Sequence, residues 1–512
     1  RSYDVFVGSG TNNTLVMPDG QNALFLDDPL SQGVDSTRLY NIQTIQAGNG
    51  GQVIDLTSSQ VSYGSVTILG GSGADIIMSS GGDDTISGGD GFFAVPDLSK
   101  PWLVYSASQG GGIVLTDMHS GDQRSIHPYP YRTGSAGDSL ASHPYRYNWN
   151  APITLDPADP STVYFGGNVV FRTRNYGQSW EVISPDLTTN DKSKQQLSGG
   201  PIVPDNTAAE FHSTLLTIAP SPKNSRVIWA GSDDGNIQIT KDGGTTWTNV
   251  VRNIKDLPPN AWISTIDASP HDSGTAFVAA SHWQTGDYGP YLYQTTDYGQ
   301  TWSRINGNLP ARGWTHVVRQ DPRNPSLLYA GTEFGAFVSW NLGRQWHSLR
   351  NGLSAAPVRD LLIHPRDNDL VIATHGRGLY ILDDLEPIQR LGSAMAAEVK
   401  LFPPPPAVRW VNWNSDGNLG AKTWAGENPP NGAAVRYYLR DQQRNVKLTI
   451  KDGAGAVIRT LTDTLAKPGV NQFVWDLRYE GPPPPEGERP NPQFELFARL
   501  FGFGGGPSVV PG

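Results

Sequence analysis

The octet TKDGGTTW, Thr240 to Trp247, follows a run of β-forming residues and belongs to a repeated pattern, Ser/Thr-x-Asp/Asn-x-Gly-x-x-Trp. Three further copies occur: TRNYGQSW (Thr173 to Trp180), TTDYGQTW (Thr295 to Trp302) and SWNLGRQW (Ser339 to Trp346). The polar third residue can bind backbone N–H groups of a tight turn, glycine permits an unusual φ, and tryptophan fills the apolar layer beneath. Four copies therefore predict a repeated β architecture.

Composition supports an all-β chain. Of 512 residues, 58 are glycine and 40 proline, and only 17% are charged, which is typical of turn-rich β proteins with little helix. A net charge of −10 without a Lys/Arg run argues against a nucleic-acid partner. The absence of cysteine excludes disulfides, thiolate metal sites and cysteine nucleophiles. No apolar run of about 18 residues occurs, so we expect no membrane span.

A second pattern occupies the first part of the chain. GGSGADIIM (Gly70 to Met78) and SSGGDDTIS (Ser79 to Ser87) have the form of the nonapeptide GGxGxDxUx. The glycines form a turn, the sixth-position aspartate faces the turn of the neighbouring coil, and the apolar eighth residue enters a narrow core. Calcium between successive turns would offset the repulsion between carboxylates.

Residues 1–91 thus resemble the RTX β-roll family of secreted bacterial proteins. The resemblance implies calcium as the cofactor, Asp75 and Asp84 as ligands and Asp83 as a secondary ligand. A glycine-rich β segment without metal is the alternative. The third copy, from Gly88, has Phe93 where the pattern requires aspartate, so we expect the roll to end there.

From about residue 92 to 386 a longer repeat places a proline turn before an apolar strand and a small-residue turn. Its copies are PDLSKPWLVYSASQGGG, LDPADPSTVYFGGN, APSPKNSRVIWAGSDDG, ASPHDSGTAFVAAS, QDPRNPSLLYAGTEFG and IHPRDNDLVIATHGRG. Each copy can supply the strands of one propeller blade, and the octet falls between the third and fourth strands. The sequence predicts about six blade equivalents.

This region resembles the Asp-box (BNR-repeat) β-propellers shared by sialidases, xyloglucan hydrolases and sortilin-type receptors. It resembles most a bacterial sortilin-like group usually labelled glycosyl hydrolase. The resemblance implies a propeller whose functional mouth lies at the rim of second-to-third-strand turns. Members of that group normally carry additional N-terminal blades, which leaves the blade number and ring closure open.

Residues 387–430, with Pro403 to Pro406, are predicted to form a proline-rich linker. In residues 431–512 the segments VRYYLRD, VKLTIKD, AVIRTLT and NQFVWDLRY alternate as strands do. They resemble the immunoglobulin-like module that follows such propellers. We expect an incomplete β-sandwich with a flexible tail, and a chain that is a processed or partial piece of a longer protein.

Three tryptophans are candidate ligand-binding residues at the mouth. Trp149, Trp262 and Trp314 each precede an aligned proline by eight residues, so they should begin innermost strands at corresponding positions. Flat aromatic side chains stack on the C–H faces of sugars. The alternative is that these tryptophans pack between blades. His375 and Arg377, in the turn HGRG, could bind an anion or could simply form a polar turn.

Glycoside hydrolysis requires two carboxylates at a defined separation. The candidates are Asp233, Asp234 and Glu333, with Glu210 and Asp90 behind them. No pair stands out, because acidic residues in glycine-containing turns are usually solvated. An Arg-Ile-Pro signature is absent, which disfavours a sialidase, and no GxSxG, HExxH, Walker or dinucleotide motif occurs.

The leading hypothesis from sequence is a secreted or cell-surface bacterial propeller that binds a polysaccharide or peptide at its channel mouth without catalysis. A glycoside hydrolase of the Asp-box propeller class is the first alternative. The second is a structural component of an extracellular layer or filament, which would contact other extracellular proteins.

Overall fold

The computed structural model describes residues 93–129, 144–195, 211–350, 352–407 and 432–480, together with short segments between residues 6 and 87. The chain divides into two compact units, one of residues 1–361 with 373–378 and one of residues 362–372 with 379–512. Five of the predicted acidic site residues lie outside the described residues: Asp75, Asp83, Asp84, Asp90 and Glu210.

The N-terminal segments are short strands that all pair in parallel. Phe6–Val7 pairs with Leu39–Tyr40. A four-stranded sheet contains Thr14–Val16, Thr44–Gln46, Thr67–Leu69 and Thr85–Ser87. A three-stranded sheet contains Asn22–Phe25, Gln52–Asp55 and Ile76–Met78. Ile45 and Ile54 are fully buried, one in each sheet, so apolar residues form a core at these strands.

Six antiparallel sheets follow, each with its strands in sequence order. Sheet one contains Ala94–Pro96, Leu103–Ser108, Gly112–Asp117 and Gln123–Ser125. Sheet two contains Ile153–Leu155, Val163–Gly166, Val170–Thr173 and Glu181–Val182. Sheet three contains Leu215–Ser221, Asn224–Ser232, Ile237–Thr240 and Thr248–Asn249.

Sheet four contains Trp262–Ala268, Ala276–His282, Asp287–Thr295 and Ser303–Arg304. Sheet five contains Thr315–Gln320, Leu328–Thr332, Gly335–Ser339 and His347–Leu349. Sheet six contains Val358–Ile363, Leu370–Thr374 and Leu379–Leu382.

The first strands of sheets one to five lie next to one another in chain order. Side chains join them directly: Ile266 N–H donates to Thr217 Oγ1 at 3.2 Å, and Thr265 Oγ1 donates to the His316 carbonyl at 2.8 Å. Meandering sheets whose innermost strands adjoin are the arrangement of β-propeller blades. The prediction of an all-β propeller is therefore confirmed. The number of blades and the closure of the ring stay predictions.

Apolar side chains from facing sheets interdigitate to form the core. Between sheets three and four lies one apolar cluster, and five of its members, Trp229, Ile239, Ile263, Val278 and Tyr293, are each at least 97% buried. In sheets three and four burial of both faces explains why strands such as Ala276–His282 are continuous apolar runs rather than alternating ones. At 25 cal/mol per Å² of apolar surface, such layers supply most of the stabilising free energy of the fold.

The four octets fold alike. In each, the fifth-position glycine N–H donates to the first-position hydroxyl, in the pairs Gly177–Thr173 (3.0 Å), Gly244–Thr240 (3.0 Å), Gly299–Thr295 (2.9 Å) and Gly343–Ser339 (2.9 Å). The third-position side chain accepts the N–H of the seventh residue, in the pairs Asn175–Ser179, Asp242–Thr246, Asp297–Thr301 and Asn341–Gln345. The hydrogen bonding predicted from the sequence is confirmed. Asp and Asn are interchangeable here because each offers an acceptor oxygen.

The second unit contains the single α-helix of the described residues, Glu386–Ala394, which has proline at its start. Strand Val399–Leu401 pairs with Ala433–Leu439, which pairs with Gly469–Trp475. Val446–Lys451 and Val457–Asp463 form a hairpin. Their shared core contains Val435, Tyr437, Leu439, Ala466 and Phe473. Residues 387–430 are predicted to be a linker. The first part of this segment instead contains most of the helix and strand Val399–Leu401, which pairs with a neighbouring strand in a sheet.

Short 3₁₀ helices occur at Gln109–Gly111, Lys192–Lys194, Val251–Asn253 and Trp283–Thr285. No helix in the described part of the chain has the length and apolar character that crossing a bilayer requires.

Candidate functional site

Because the strands of each sheet alternate in direction, the turns between second and third strands lie at the same end as the starts of the first strands. In sheets three to six these turns are residues 233–236, 283–286, 333–334 and 375–378. We call this end the rim. It is the end at which the sequence places the functional mouth.

Four aromatic side chains of sheets four and five lie at the rim, and we call them the aromatic platform. Trp283 and Trp314 stack with ring centroids 6.3 Å apart and planes 26° apart. Tyr288 lies 5.3 Å from Trp314. Phe334 lies close to Gly313, the residue before Trp314, because a Cβ added at Gly313 would come within 3.2 Å of the Phe334 ring. Trp283 is 41% exposed and Phe334 49% exposed, so the platform presents apolar ring surface to solvent.

A hairpin of sheet four positions two rings of the platform, and hydrogen bonds within the hairpin stabilise its conformation. Ala276–His282 and Asp287–Thr295 form this hairpin, and the 3₁₀ turn between them ends at Gly286 with φ of 87°. Asp287 accepts the Tyr291 hydroxyl at 2.6 Å and the Gly289 N–H at 3.0 Å. These hydrogen bonds fix the end of the hairpin that carries Trp283 and Tyr288.

A chain of three polar side chains adjoins the platform. His316 Nε2 lies 3.2 Å from Glu333 Oε2, and Arg359 Nη1 lies 3.3 Å from His316 Nδ1. Arginine has only donors, so Nδ1 must accept and the imidazole proton resides on Nε2, which donates to Glu333. His316 also meets the Trp314 ring edge to face at 6.4 Å. The neutral imidazole fixes one oxygen of the Glu333 carboxylate.

The electrostatics agree with this tautomer. Burial, with the positive charges of Arg359 and His375 acting in the same direction, lowers the pKa of His316 to about 3. Burial raises the pKa of Glu333 above its usual range, against the opposing effect of Arg359 and His375. The Glu333 side chain is 23% exposed, so it is partly desolvated and still accessible.

Asp233 and Asp234 occupy the corresponding turn of sheet three, but both are buried. Asp233 accepts the N–H and hydroxyl of Thr214 at 2.9 and 2.8 Å, and burial raises its pKa to about 7. Asp234 accepts the N–H and hydroxyl of Thr189 at 2.7 and 2.6 Å. The expectation that these acids are solvated turn residues is wrong for both, because each carboxylate instead binds the backbone of a neighbouring connection.

The other predicted ligand-binding residues have varied positions. Trp149 is half-buried before the first strand of sheet two, and Trp262 is the half-buried first residue of its strand. His375 and Arg377 are exposed in the turn of sheet six. Of the three predicted tryptophans, the structure brings Trp314 into the platform.

Sequence reasoning missed five residues: Trp283, Tyr288, Phe334, His316 and Arg359. The segment HWQTGDYG, which interrupts the repeat between two strands and contains two aromatic residues, was a signal for the first two. No pattern in the sequence marks the other three.

Within the described ranges, no group of three or more His, Asp or Glu side chains is arranged to hold a metal ion. The predicted calcium ligands Asp75, Asp83 and Asp84 lie outside those ranges, so calcium binding there stays a prediction.

No protein-family model matches the chain. Among curated proteins, the chain is 23% identical over 272 residues to an oligoxyloglucan-reducing end-specific xyloglucanase of Emericella nidulans, covering 46% of this chain and 32% of that protein. It is 26% identical over 148 residues to a xyloglucanase of Hypocrea jecorina, covering 27% of this chain and 17% of that protein. The chain thus spans a third or less of the length of these relatives.

Among solved structures, the chain is similar to the GH74 xyloglucanase from Xanthomonas campestris, with 14% identity, a TM-score of 0.40 and coverage of 57% of this chain and 44% of that one. It is also similar to YCF48 bound to D1 peptide, with 18% identity, a TM-score of 0.29 and coverage of 48% and 68%. The fold is that of a β-propeller, and the curated relatives are xyloglucanases. These relatives agree with the prediction that the chain, if it is an enzyme, is a glycoside hydrolase.

Proposed function

We propose that this chain acts on glycans as a glycoside hydrolase of the propeller class, with its substrate lying across the aromatic platform and Glu333 taking part in bond cleavage. The observation that carries the proposal is the contact between platform and acid: Glu333 accepts from His316, whose ring meets Trp314. Aromatic faces that stack on sugars and a partly desolvated carboxylate are what such a site requires.

The curated relatives support this reading over the non-catalytic one that led from sequence, because both are xyloglucanases. A polysaccharide is the substrate class that this reading proposes. Secretion is part of the same proposal, since an extracellular polysaccharide is reached only by an exported enzyme.

Glu333 suits the role of general acid. Burial keeps its pKa raised, so a larger fraction of the carboxyl is protonated at a given pH than for a solvated glutamate. The His316 N–H binds Oε2 and leaves Oε1 to face the glycosidic oxygen. A second carboxylate is also required, about 5 Å away for retention or about 6.5 to 9.5 Å away for inversion.

One observation favours the non-catalytic alternative. Asp233 and Asp234 are buried and already bound to Thr214 and Thr189, so neither presents a free carboxylate in the way that Glu333 does. Under this alternative the platform binds glycan without cleaving it.

A hydrolysis and binding screen separates the two. The intact chain is incubated with neutral xyloglucan oligosaccharides and with anionic oligogalacturonate, and reducing ends are measured beside binding by calorimetry. We expect cleavage that Glu333→Gln lowers by about a hundredfold or more, the scale of lost general-acid catalysis, with binding retained. Asp233→Asn and Asp234→Asn test for the second carboxylate. Binding without cleavage favours the non-catalytic reading, and neither binding nor cleavage contradicts both.

The finer family features are part of the proposal. The shared hydrogen bonding of the four octets supports an Asp-box propeller of the sortilin-like kind. The parallel N-terminal strands support an RTX-type β-roll with calcium at Asp75 and Asp84. The two small sheets after residue 432 support an immunoglobulin-like module. Chelator titration followed by circular dichroism tests the first of the two flanking modules, and an unchanged spectrum would contradict it.

A further inference from the structure

Cationic side chains adjoin the aromatic platform at two places. The guanidinium carbon of Arg312 lies 5.1 Å from the centre of the Tyr288 ring. Arg359 donates to His316, whose other face meets Trp314. Both arginines are exposed, and so is His375, which lies close enough to His316 and Glu333 to affect them electrostatically when protonated.

Neither arginine forms a direct ion pair with a carboxylate among the described residues, whereas Arg319 and Arg304 do. Arg319 lies 3.0 Å from Asp360 and 3.6 Å from Asp267, and Arg304 lies 2.9 Å from Asp256. Neither Arg312 nor Arg359 forms such an ion pair with any part of the chain that the structure describes.

The charge of the platform also contrasts with that of the whole chain. The chain has a net charge of −10, yet the only acid in direct contact with the cluster of Arg312, Arg359 and His316 in the described structure is Glu333. A neutral sugar needs a stacking surface and hydrogen-bond partners, but it does not need two guanidinium groups that form no direct ion pair with a carboxylate. Guanidinium groups match planar anions, to which they offer two parallel N–H donors.

We propose that the rim binds an anionic glycan, with the sugar rings on Trp283 and Trp314 and carboxylate or sulfate groups on Arg312 and Arg359. This inference rests on the proposed function and names its substrate class. It differs from what the relatives suggest, because xyloglucan is uncharged. Arg359 contacts Nδ1 of the His316 imidazole and Glu333 contacts Nε2. An anion bound to Arg359 and the Glu333 carboxyl would therefore lie on different sides of this ring.

The test compares glycans that differ only in charge. Affinities are measured for polygalacturonate and its fully methyl-esterified form, for dextran sulfate and dextran, and for neutral xyloglucan oligosaccharides. We expect at least one charged form to bind about tenfold or more tightly than its neutral counterpart, with the advantage falling as salt is raised. The first pair identifies a carboxylate as the anion and the second identifies a sulfate.

Substitutions of the two arginines test whether these side chains cause the preference for the charged glycan. Arg312→Gln and Arg359→Gln should each lose most of the preference for the charged form, and Arg359→Lys should retain part of it. Arg366→Gln is the matched control, because Arg366 is 81% exposed and pairs with the neighbouring Asp367 at 2.7 Å rather than with His316 or a platform ring. Circular dichroism and the melting temperature confirm that each variant is folded.

Equal affinity for charged and neutral forms would overturn this inference, as would an equal loss of preference in Arg366→Gln. If neutral xyloglucan oligosaccharides bind at the platform and anionic glycans bind no better, the proposed function stands and this inference fails. If no glycan of either kind binds, both fail.

Discussion

The indole N–H of Trp247 donates to the carbonyl oxygen of Ile183 at 2.9 Å, which fastens the repeated turn of sheet three to the last strand of sheet two. The same relationship joins Trp180 to Ile126 and Trp346 to Ile305. The third octet differs, because Trp302 donates to Gly299 within its own turn at 3.1 Å. The tryptophan of the repeat therefore fills the apolar layer and, in three of four cases, forms a hydrogen bond that joins neighbouring sheets.

We predict that Trp247→Phe destabilises the fold more than Trp302→Phe. Both changes keep an aromatic ring and remove an indole N–H, but the first leaves the Ile183 carbonyl without its donor from another sheet. Each change removes one hydrogen bond, whose usual net value is about 1 kcal/mol, so the two losses should differ by less than about 1 kcal/mol in the free energy of unfolding, with the larger loss for the bond that joins two sheets. Urea unfolding of the two variants measures the difference. Equal losses would show that the bond between sheets contributes no more than the bond within the turn.

Two adjacent glycines in the octet of sheet three provide a second test. Gly244 has φ of 104°, and a Cβ there would lie 2.7 Å from the Ile183 carbonyl oxygen. Gly243 has φ of 79° with open space around it. We expect Gly243→Ala to cost about 1 kcal/mol of strain and Gly244→Ala at least twice that, because strain and a clash add. Residues other than glycine hold the Gly243 position in the other octets, as at Tyr298 and Leu342. Comparable losses measured by urea unfolding would contradict the close docking of the turn.

The sequence predicted the propeller because its signal is repeated. Each octet alone is a weak turn pattern, but the hydroxyl, the acceptor at the third position and the glycine recur together, and each has a bond or a φ that requires it. The proline turn followed by an apolar run also recurs along the chain, and this repeat predicted the order of the strands. The segment predicted as a linker was harder, since helix Glu386–Ala394 contains proline and glycine and depends on packing that no local pattern encodes.

The site was less predictable. Trp314 could be found from its fixed spacing to Pro322, and Glu333 from its position in a rim turn. His316 and Arg359 could not, because a first-strand residue of sheet five and one of sheet six meet only after the sheets are arranged around an axis. Asp233 looked like a solvated turn acid, and its burial follows from the neighbouring connection that supplies Thr214.

Asp233 should make stability depend on pH. Burial raises its pKa from 3.8 to about 7, so between these values the folded protein holds a proton that the unfolded chain has released. The stability contributed by this group is therefore present at low pH and is lost as the pH rises through about 7. Asp233→Asn has no proton to lose, so its stability should fall less between about pH 5 and pH 8. Unfolding curves of the two proteins that remain parallel over this range would contradict the assignment.

His316 should remain neutral with its proton on Nε2. Its pKa of about 3 lies below the working pH, and Arg359 occupies Nδ1 as a donor. Nitrogen-15 NMR of histidine-labelled protein at neutral pH should show the Nε2–H tautomer, with His316→Gln providing the assignment. Arg359→Gln removes the donor to Nδ1 and should let the Nδ1–H tautomer appear. A doubly protonated imidazole in the parent protein at neutral pH would be incompatible with the proposed support of Glu333.

The affinity of the Trp283→Ala variant for glycan tests the central claim most directly, because Trp283 is exposed and its removal leaves the core intact. The matched control is Trp102→Ala, which removes an indole stacked on His119 at 4.8 Å in sheet one. Calorimetric titration with xyloglucan oligosaccharides and with oligogalacturonate should show that Trp283→Ala binds its better ligand about tenfold or more weakly than the parent, as expected for a tryptophan that carries binding energy. The control should bind as the parent does. Unchanged affinity in Trp283→Ala, or an equal loss in Trp102→Ala, would contradict a glycan site on the aromatic platform.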